Sequence, residues 1–329
     1  MEKIIYPNKL REGDTIKVIA PSRSLSIISN EVIAQATKTL KKLGLNIEFS
    51  ENCLEKDDFN SSSVESRVKD LNEAFANLNI KGILTAIGGY NSNDLLQYID
   101  YELISQNPKI LCGYSDITSI SNAITQKTGM VTYSGPHFST FGMEKGLEYT
   151  IQNFKNILFD NKEVEIVASK EWSDEAWYID QKNRNFEKNN GYKTLNEGSA
   201  TGKVVGGHMR CLACLQGTEF FPDLDNSILL LEDTENVNSE LFNRMLQSLI
   251  HLPNFRGVKG ILVGRFQKNS KISDELLLKI IKSKPELKNI PIISGLDFGH
   301  TTPMLTLPIG SLIKIVASQN TCQIKILAN

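Results

Sequence analysis

Apolar residues in the first half of the chain fall into short runs, separated by stretches in which they recur at helical spacing. Residues 15–20 (TIKVIA) and 82–87 have the run character of buried strands, and 46–49 form a shorter one. Residues 30–43 and 63–76 are helical, the second with Val68, Leu71 and Phe75 on one face. Strand and helix alternate, which predicts a parallel α/β sheet whose ligands bind at the carboxyl ends of its strands. A further run at 110–112 ends in Gly113 and leads through Ser115-Asp116 into a helix over 117–126, followed by a strand over 131–134 and a helix over 147–158.

The pattern breaks over residues 169–199, a polar and aromatic stretch with Trp172, Trp177, Tyr178, Phe186 and Tyr192 and little periodicity. A structureless segment of that length is usually functional or a linker, so it is read as a domain boundary and substrate loop. Strands over 202–205, 228–231, 257–263 and 292–294 then alternate with helices over 209–215, 237–249 and 275–281. Residues 305–326 alternate β-branched positions, with turn signals at Pro308-Ile-Gly310 and Ser318-Gln-Asn320, and are expected to close as antiparallel β. The division predicted is 1–165 as an N-terminal α/β domain, 166–200 as substrate loop and linker, and 201–329 as a C-terminal domain.

A chain of 329 residues is long enough for two buried cores. Its formal net charge of −2 gives no reason to expect nucleic acid or an anionic membrane as partner, so a small molecule is the expected ligand. The start, Met1-Glu-Lys-Ile-Ile-Tyr-Pro7, lacks the features of a secretory signal, and no run is long enough to span a bilayer. Five cysteines without framework spacing fit reduced thiols, hence a cytoplasmic protein.

Two predicted strand ends carry candidate chemistry. Ser115 stands at a strand-to-helix turn beside free backbone N–H groups, which can stabilise an oxyanion; taken alone, it fits a helix cap as well. Gly88-Gly89 ends the strand before it, and these amides either complete an oxyanion hole with that of Asp116 or form an ordinary turn. Of the four histidines, His251 reads as a cation at a helix C-terminus. His137 and His208 follow Gly135-Pro136 and Gly206-Gly207, and His300, in Asp297-Phe-Gly-His-Thr-Thr-Pro303, is the strongest candidate for chemistry. Glu232 follows an apolar strand, where it can orient an imidazole or serve as an edge charge or cap. No metal-ligand cluster occurs, and Cys211-Leu-Ala-Cys214 reads as small buried thiols. The order Ser115, Glu232, His300 is that of α/β-hydrolases, yet Gly113-Tyr-Ser-Asp-Ile117 lacks their G-x-S-x-G elbow, and these residues lie in two domains.

Together, Gly88-Gly89, Gly113-Tyr-Ser-Asp116, Leu231-Glu232-Asp233 and Gly299-His300-Thr301 resemble the LD-carboxypeptidase family of serine peptidases, over about residues 10–317. Gly89-Tyr-Asn-Ser-Asn93, Trp172-Ser-Asp-Glu-Ala-Trp177, Asn196-Glu-Gly198 with Gly206-Gly207, and Leu215-Gln-Gly-Thr-Glu219 are most similar to its microcin C immunity branch. The resemblance implies a Rossmann-like parallel-sheet N-terminal domain, a β-rich α/β C-terminal domain, a homodimer and no cofactor or metal. It implies Ser115 as nucleophile, His300 as general base and then acid, Glu232 orienting His300, and the amides of Gly89 and Asp116 as oxyanion hole. Gly88, Asn91, Trp172, Trp177 and Arg265 are candidate substrate contacts, with Trp177 the preferred stacking partner for a nucleobase and Arg265 facing either a substrate carboxylate or a structural acid. The implied activity is hydrolysis of the amide in aminoacyl- or peptidyl-nucleotides, a self-immunity function conferring antibiotic resistance. The alternatives are a murein tetrapeptide LD-carboxypeptidase and a non-catalytic nucleotide-binding protein.

Overall fold

The structure, a computed structural model, describes residues 4–160, 162–319 and 321–328. Its first half alternates as the apolar pattern predicts: β1 (Thr15–Ile19), α1 (Asn30–Lys42), β2 (Asn46–Phe49), α2 (Val64–Ala76), β3 (Ile80–Thr85), α3 (Tyr101–Gln106), β4 (Ile110–Gly113), α4 (Thr118–Thr128), β5 (Thr132–Ser134) and α5 (Glu148–Leu158). Serine caps start α1 and α2, where Ser29 and Ser63 side chains accept the N–H of Val32 and Ser66 at 3.3 and 3.0 Å. Gly129, at φ +73°, ends α4. All pairings among β1 to β5 are parallel.

The second half contains β6 (Val164–Glu165), β7 (Glu171–Trp172), β8 (Glu187–Lys188), β9 (Lys193–Asn196), β10 (Gly198–His208), α6 (Met209–Ala213), β11 (Ser227–Glu232), α7 (Ser239–Ile250), β12 (Val258–Gly264), α8 (Asp274–Lys282), β13 (Ile292–Leu296), β14 (Leu307–Ile309), β15 (Leu312–Ala317) and β16 (Cys322–Ile326). Its sheet has the order β6-β16-β15-β10-β11-β12-β13-β9. The centre, β10 to β13, is parallel, and β11 is buried at every position, as its apolar sequence requires. Among the described residues no helix is long and apolar enough to cross a membrane.

Three features depart from the expectations. Residues 169–199 are not structureless: β7 and β8 pair as an antiparallel ribbon, and β9 forms an edge of the large sheet. Strand β14 pairs antiparallel with β5, so the N-terminal sheet has the order β14-β5-β4-β3-β1-β2 and is completed by residues from the end of the chain. Pro308 lies within this edge strand, where a missing N–H is tolerated, and the turn is made by Gly310 at φ +90°. Nor are the cores confined to separate halves: one apolar cluster joins Tyr133 and Phe138 to Val204, Ile228 and Ile313, beside a second that lies within residues 195–292. At the other predicted turn Ser318 N–H donates to Thr321 O at 2.9 Å; Asn320 of that turn, like Met1 to Lys3, lies outside the described residues.

Candidate active site

Buried β4 delivers Tyr114 and then Ser115, which adopts φ +60° at the start of a 3-10 turn, Ser115–Ile117, that runs into α4. A left-handed conformation is costly for a residue with a Cβ and persists where its surroundings impose it. The serine is not a helix cap, because neither the 3-10 turn nor α4 has a side-chain cap hydrogen bond. Its hydroxyl instead lies 3.0 Å from His300 Nε2.

Glu232, the last residue of β11, is buried, and its Oε2 lies 2.7 Å from His300 Nδ1. Gly299, at φ +103°, makes this approach possible: a Cβ there would stand 2.4 Å from Glu232 Oε2. The loop carrying His300 is held in turn by buried Asp297, which accepts Ser169 N–H at 2.7 Å, Ser169 Oγ at 2.8 Å and Arg265 Nη1 at 2.7 Å. A Ser–His–acid chain of these lengths can activate the hydroxyl as a nucleophile.

Because the serine and its two partners come from different sheets, their spacing depends on how those sheets dock. Helix α4 provides the joint. Asn122 donates from Nδ2 to Gly206 O and accepts Gly206 N–H at Oδ1, both at 2.9 Å, while Thr118 Oγ1 accepts His208 N–H at 3.0 Å. These bonds link the helix behind Ser115 to β10, the parallel neighbour of β11.

Gly88 and Gly89 flank the serine differently. A Cβ on Gly88 would lie 3.0 Å from Ser115 Cβ and 3.2 Å from its Oγ, whereas one on Gly89 would lie 2.2 Å from Ser22 Oγ. Neither glycine donates its N–H to another described residue, so both amides are available to a ligand. Asp116 contributes more than an amide: its buried Oδ2 accepts Ser22 Oγ at 2.6 Å and Ser92 N–H at 2.9 Å. The backbone carbonyl of Asn91 accepts Arg67 Nη1 at 2.9 Å, and among the described residues its side-chain Oδ1 is buried without a partner.

Of the other histidines, His251 ends α7 as its C-terminal cap residue. His137 is buried under Tyr114, with ring centroids 4.3 Å apart and Nδ1 2.6 Å from Thr85 Oγ1. Burial, with His300 second, lowers its pKa to about 3, so it is neutral. His208 lies beside His300, ring centroids 5.5 Å apart, with Nε2 3.1 Å from Asp233 Oδ1. Burial would lower its pKa, but contact with Asp233 and the charge of Glu232 outweigh burial and raise it. Cys211 is half-buried beside His208 Nδ1 at 3.0 Å, and Cys214 is exposed, so the expectation of two buried thiols fails for the second.

Two candidate substrate contacts are engaged elsewhere. Arg265 pairs with the structural acid Asp297 and donates from Nη2 to Gly295 O at 3.1 Å. Trp172 has its ring occupied by two cations, Arg265 at 4.9 Å and Lys268 at 5.4 Å. Trp177 is half-buried and meets only the edge of exposed Tyr178, centroids 5.9 Å apart, among the ring contacts of the described residues. The loop is tied to the His300 loop by paired backbone bonds between Ser173 and Thr302, each 2.8 Å. The side chain of Asp116, with Asp297, His208 and Asp233, had no part in the chemistry read from sequence, where Asp116 entered only through its amide; the one local signal was a polar residue a few positions past each predicted strand end.

A parallel α/β half docked on a mixed-sheet half, with a serine, a histidine and an acid meeting between them, defines the class: the chain belongs to the LD-carboxypeptidase family. The family's N-terminal domain matches residues 16–135 and its C-terminal domain residues 201–315. YocD of Bacillus subtilis, a protein with a provisional carboxypeptidase name, is 51% identical over 320 residues, covering 97% of this chain and 98% of that protein. The microcin C7 self-immunity protein MccF of Escherichia coli is 30% identical over 321 residues, 93% of this chain and 91% of that one. Among solved structures, an MccF-like protein from Bacillus anthracis superposes with a TM-score of 0.98 at 52% identity, covering 99% of this chain and 100% of that one. MccF structures include complexes with aspartyl sulfamoyl adenosine and glutamyl sulfamoyl guanosine.

Proposed function

We propose that the protein is a serine hydrolase that cleaves the amide of aminoacyl- or peptidyl-nucleotides. Ser115 attacks the carbonyl carbon as His300 takes its proton; His300 then protonates the leaving nitrogen, and water activated by the same imidazole releases the acyl group. Glu232 holds the Nδ1–H tautomer of His300 and stabilises the imidazolium. The amides of Gly89 and Asp116 receive the oxyanion, and Gly88 gives the substrate close access to Ser115. The observation that carries this reading is the chain of contacts from Ser115 Oγ to His300 Nε2 at 3.0 Å and from His300 Nδ1 to Glu232 Oε2 at 2.7 Å.

The nucleotide preference is supported by the accessible Trp177 loop and by the ligands in the MccF complexes. The carboxypeptidase name of YocD favours a second reading, removal of the terminal D-alanine from the murein tetrapeptide. Initial rates on aspartyl sulfamoyl adenosine and on the tetrapeptide separate the two, and faster cleavage of the tetrapeptide overturns the first. Ser115→Ala is expected to abolish hydrolysis while retaining ligand; an unchanged rate removes Ser115 as the nucleophile, and ligand binding by an unmodified protein that hydrolyses neither substrate identifies a binding protein without this chemistry. We place the enzyme in the cytoplasm as a homodimer, in keeping with its free cysteines and the family resemblance, and sedimentation velocity tests the dimer.

A further inference from the structure

Beside the Ser115, His300 and Glu232 cluster lies a second group of charges with no part in the chemistry above. His208 and Glu232 are register partners at the ends of β10 and β11, so Arg210 and Asp233, which follow them, stand at the same sheet edge as the reacting groups. Arg210 donates from Nε and Nη2 to Asp233 Oδ1 at 2.8 and 2.6 Å, and from Nη2 to Thr234 Oγ1 at 2.6 Å. Its Nη1 makes no hydrogen bond with another described residue, and its side chain is 36% exposed. One edge of the guanidinium is thus fixed and the other is open, a preorganised anion donor.

We propose that Arg210, with His208 behind it, binds the acidic group on the leaving side of the scissile amide. That group is the terminal carboxylate of a peptide or the phosphoryl or sulfamoyl oxygens attached to the nitrogen of a nucleotide amide; both place acceptor oxygens two or three bonds from the leaving nitrogen. The inference rests on the serine-hydrolase reading and adds a recognition element to it.

The direction follows from the proton path. The carbonyl oxygen points to the Gly88-Gly89 side, and the leaving nitrogen must face His300, which protonates it. The His300 ring is flanked by Tyr114, centroids 5.2 Å apart, on the N-terminal side and by His208, at 5.5 Å, on the C-terminal side. Of the other cations near the site, Arg265 and Lys268 are engaged with acids and with Trp172. Arg23 lies over Tyr90, next to Gly89, on the oxyanion side. Behind Arg210, His208 Nε2 lies 3.1 Å from the same Asp233 Oδ1, a contact that favours the protonated ring.

The test compares the murein tetrapeptide with its terminal carboxamide, and aspartyl sulfamoyl adenosine with aspartyl adenosine lacking the sulfamoyl group. Calorimetric binding to Ser115→Ala protein requires no turnover. The acidic member of the recognised pair is expected to bind about tenfold more tightly or better, as for a hydrogen bond to a charged group. This preference is expected to collapse toward unity when Arg210→Gln is added. Because that change leaves buried Asp233 short of a donor, Arg210→Lys, which keeps the charge without the fork, is measured alongside, with thermal unfolding as the check on folding; it is expected to retain part of the preference. Which pair shows the preference identifies the source of the anion. Equal affinity within both pairs, or a preference that survives both substitutions, overturns the proposal. A preference without hydrolysis by the unmodified enzyme leaves the anion site standing and overturns the hydrolase reading instead.

Discussion

Ser92 donates twice to Asp116, from its backbone N–H to the carboxylate at 2.9 Å and from its Oγ to the backbone carbonyl at 2.7 Å. This double contact fixes the distance between the turn that carries Ser115 and the loop that carries Gly88 and Gly89. The residue proposed for its amide therefore also sets the position of the opposing amide through its side chain. Asp116→Ala keeps both N–H groups but releases the loop, so kcat is expected to fall by about 100-fold, the typical cost of a misplacement of about 1 Å. Steady-state kinetics check this; a fall confined to KM would show that the loop binds substrate without serving the oxyanion.

Gly88 is the tighter of the two glycines against the nucleophile. Its φ lies outside the left-handed region, so a side chain there meets a steric limit and no backbone one: Ser115 Cβ at 3.0 Å and His137 Nε2 at 3.3 Å. Gly88→Ala is expected to reduce kcat/KM by about tenfold or more through a displaced Ser115 hydroxyl, at a stability cost of about 1–3 kcal/mol. Urea unfolding and turnover measured on the same preparation separate the two effects, and unchanged turnover would remove Gly88 from the site.

His137 gives the fold a pH signature. Its pKa is lowered from 6.5 to about 3, chiefly by burial. The unfolded chain takes up a proton as pH falls through about 6.5, and the folded one does not until about 3. Its contribution to stability is thus fully present above the higher value and is lost as pH falls through this window, at no more than about 1.4 kcal/mol per pH unit. His208 acts in the opposite sense: its pKa is raised, so its contribution is present at low pH and lost as pH rises through the folded value. His137→Gln removes only the first effect. The stability gap between the unmodified protein and this variant is expected to be narrower at pH 5 than at pH 7 by chemical denaturation; an equal gap would mean that the folded His137 is also protonated.

Strand ends were legible because they follow from local sequence. The run Ser227–Glu232 is buried throughout, and its apolar centre places Glu232 at the sheet edge without any knowledge of its partner. Gly113 before Ser115 likewise marks the end of β4. What was not legible depends on groups distant in the chain. Ser115 resembles a cap until His300 is beside it, and Arg265 resembles an anion site until Asp297 is. Strand β14 belongs to the N-terminal sheet only because its partner, β5, precedes the whole second domain. The ribbon of β7 and β8 has two residues per strand, too few for any periodicity.

The two tryptophans differ in what surrounds their rings, and this leads to opposite expectations. Trp172 lies against Arg265 and Lys268, and Arg265 is also the partner of the acid that holds the His300 loop. Trp172→Ala is expected to lower thermal stability and reduce turnover of every substrate together. Trp177 is half-buried, and among the described residues its one ring contact is a perpendicular one with Tyr178, so it is the ring proposed to stack on a nucleobase. Stacking of a base on an aromatic ring contributes about 1–3 kcal/mol, so Trp177→Ala is expected to raise KM for aspartyl sulfamoyl adenosine by about 5- to 100-fold. Cleavage of the tetrapeptide, which has no base to stack, is expected to change little. Michaelis parameters for both variants on both substrates decide the point: parallel losses on the two substrates for Trp177→Ala would assign this ring to the architecture of the loop and withdraw it from nucleotide recognition.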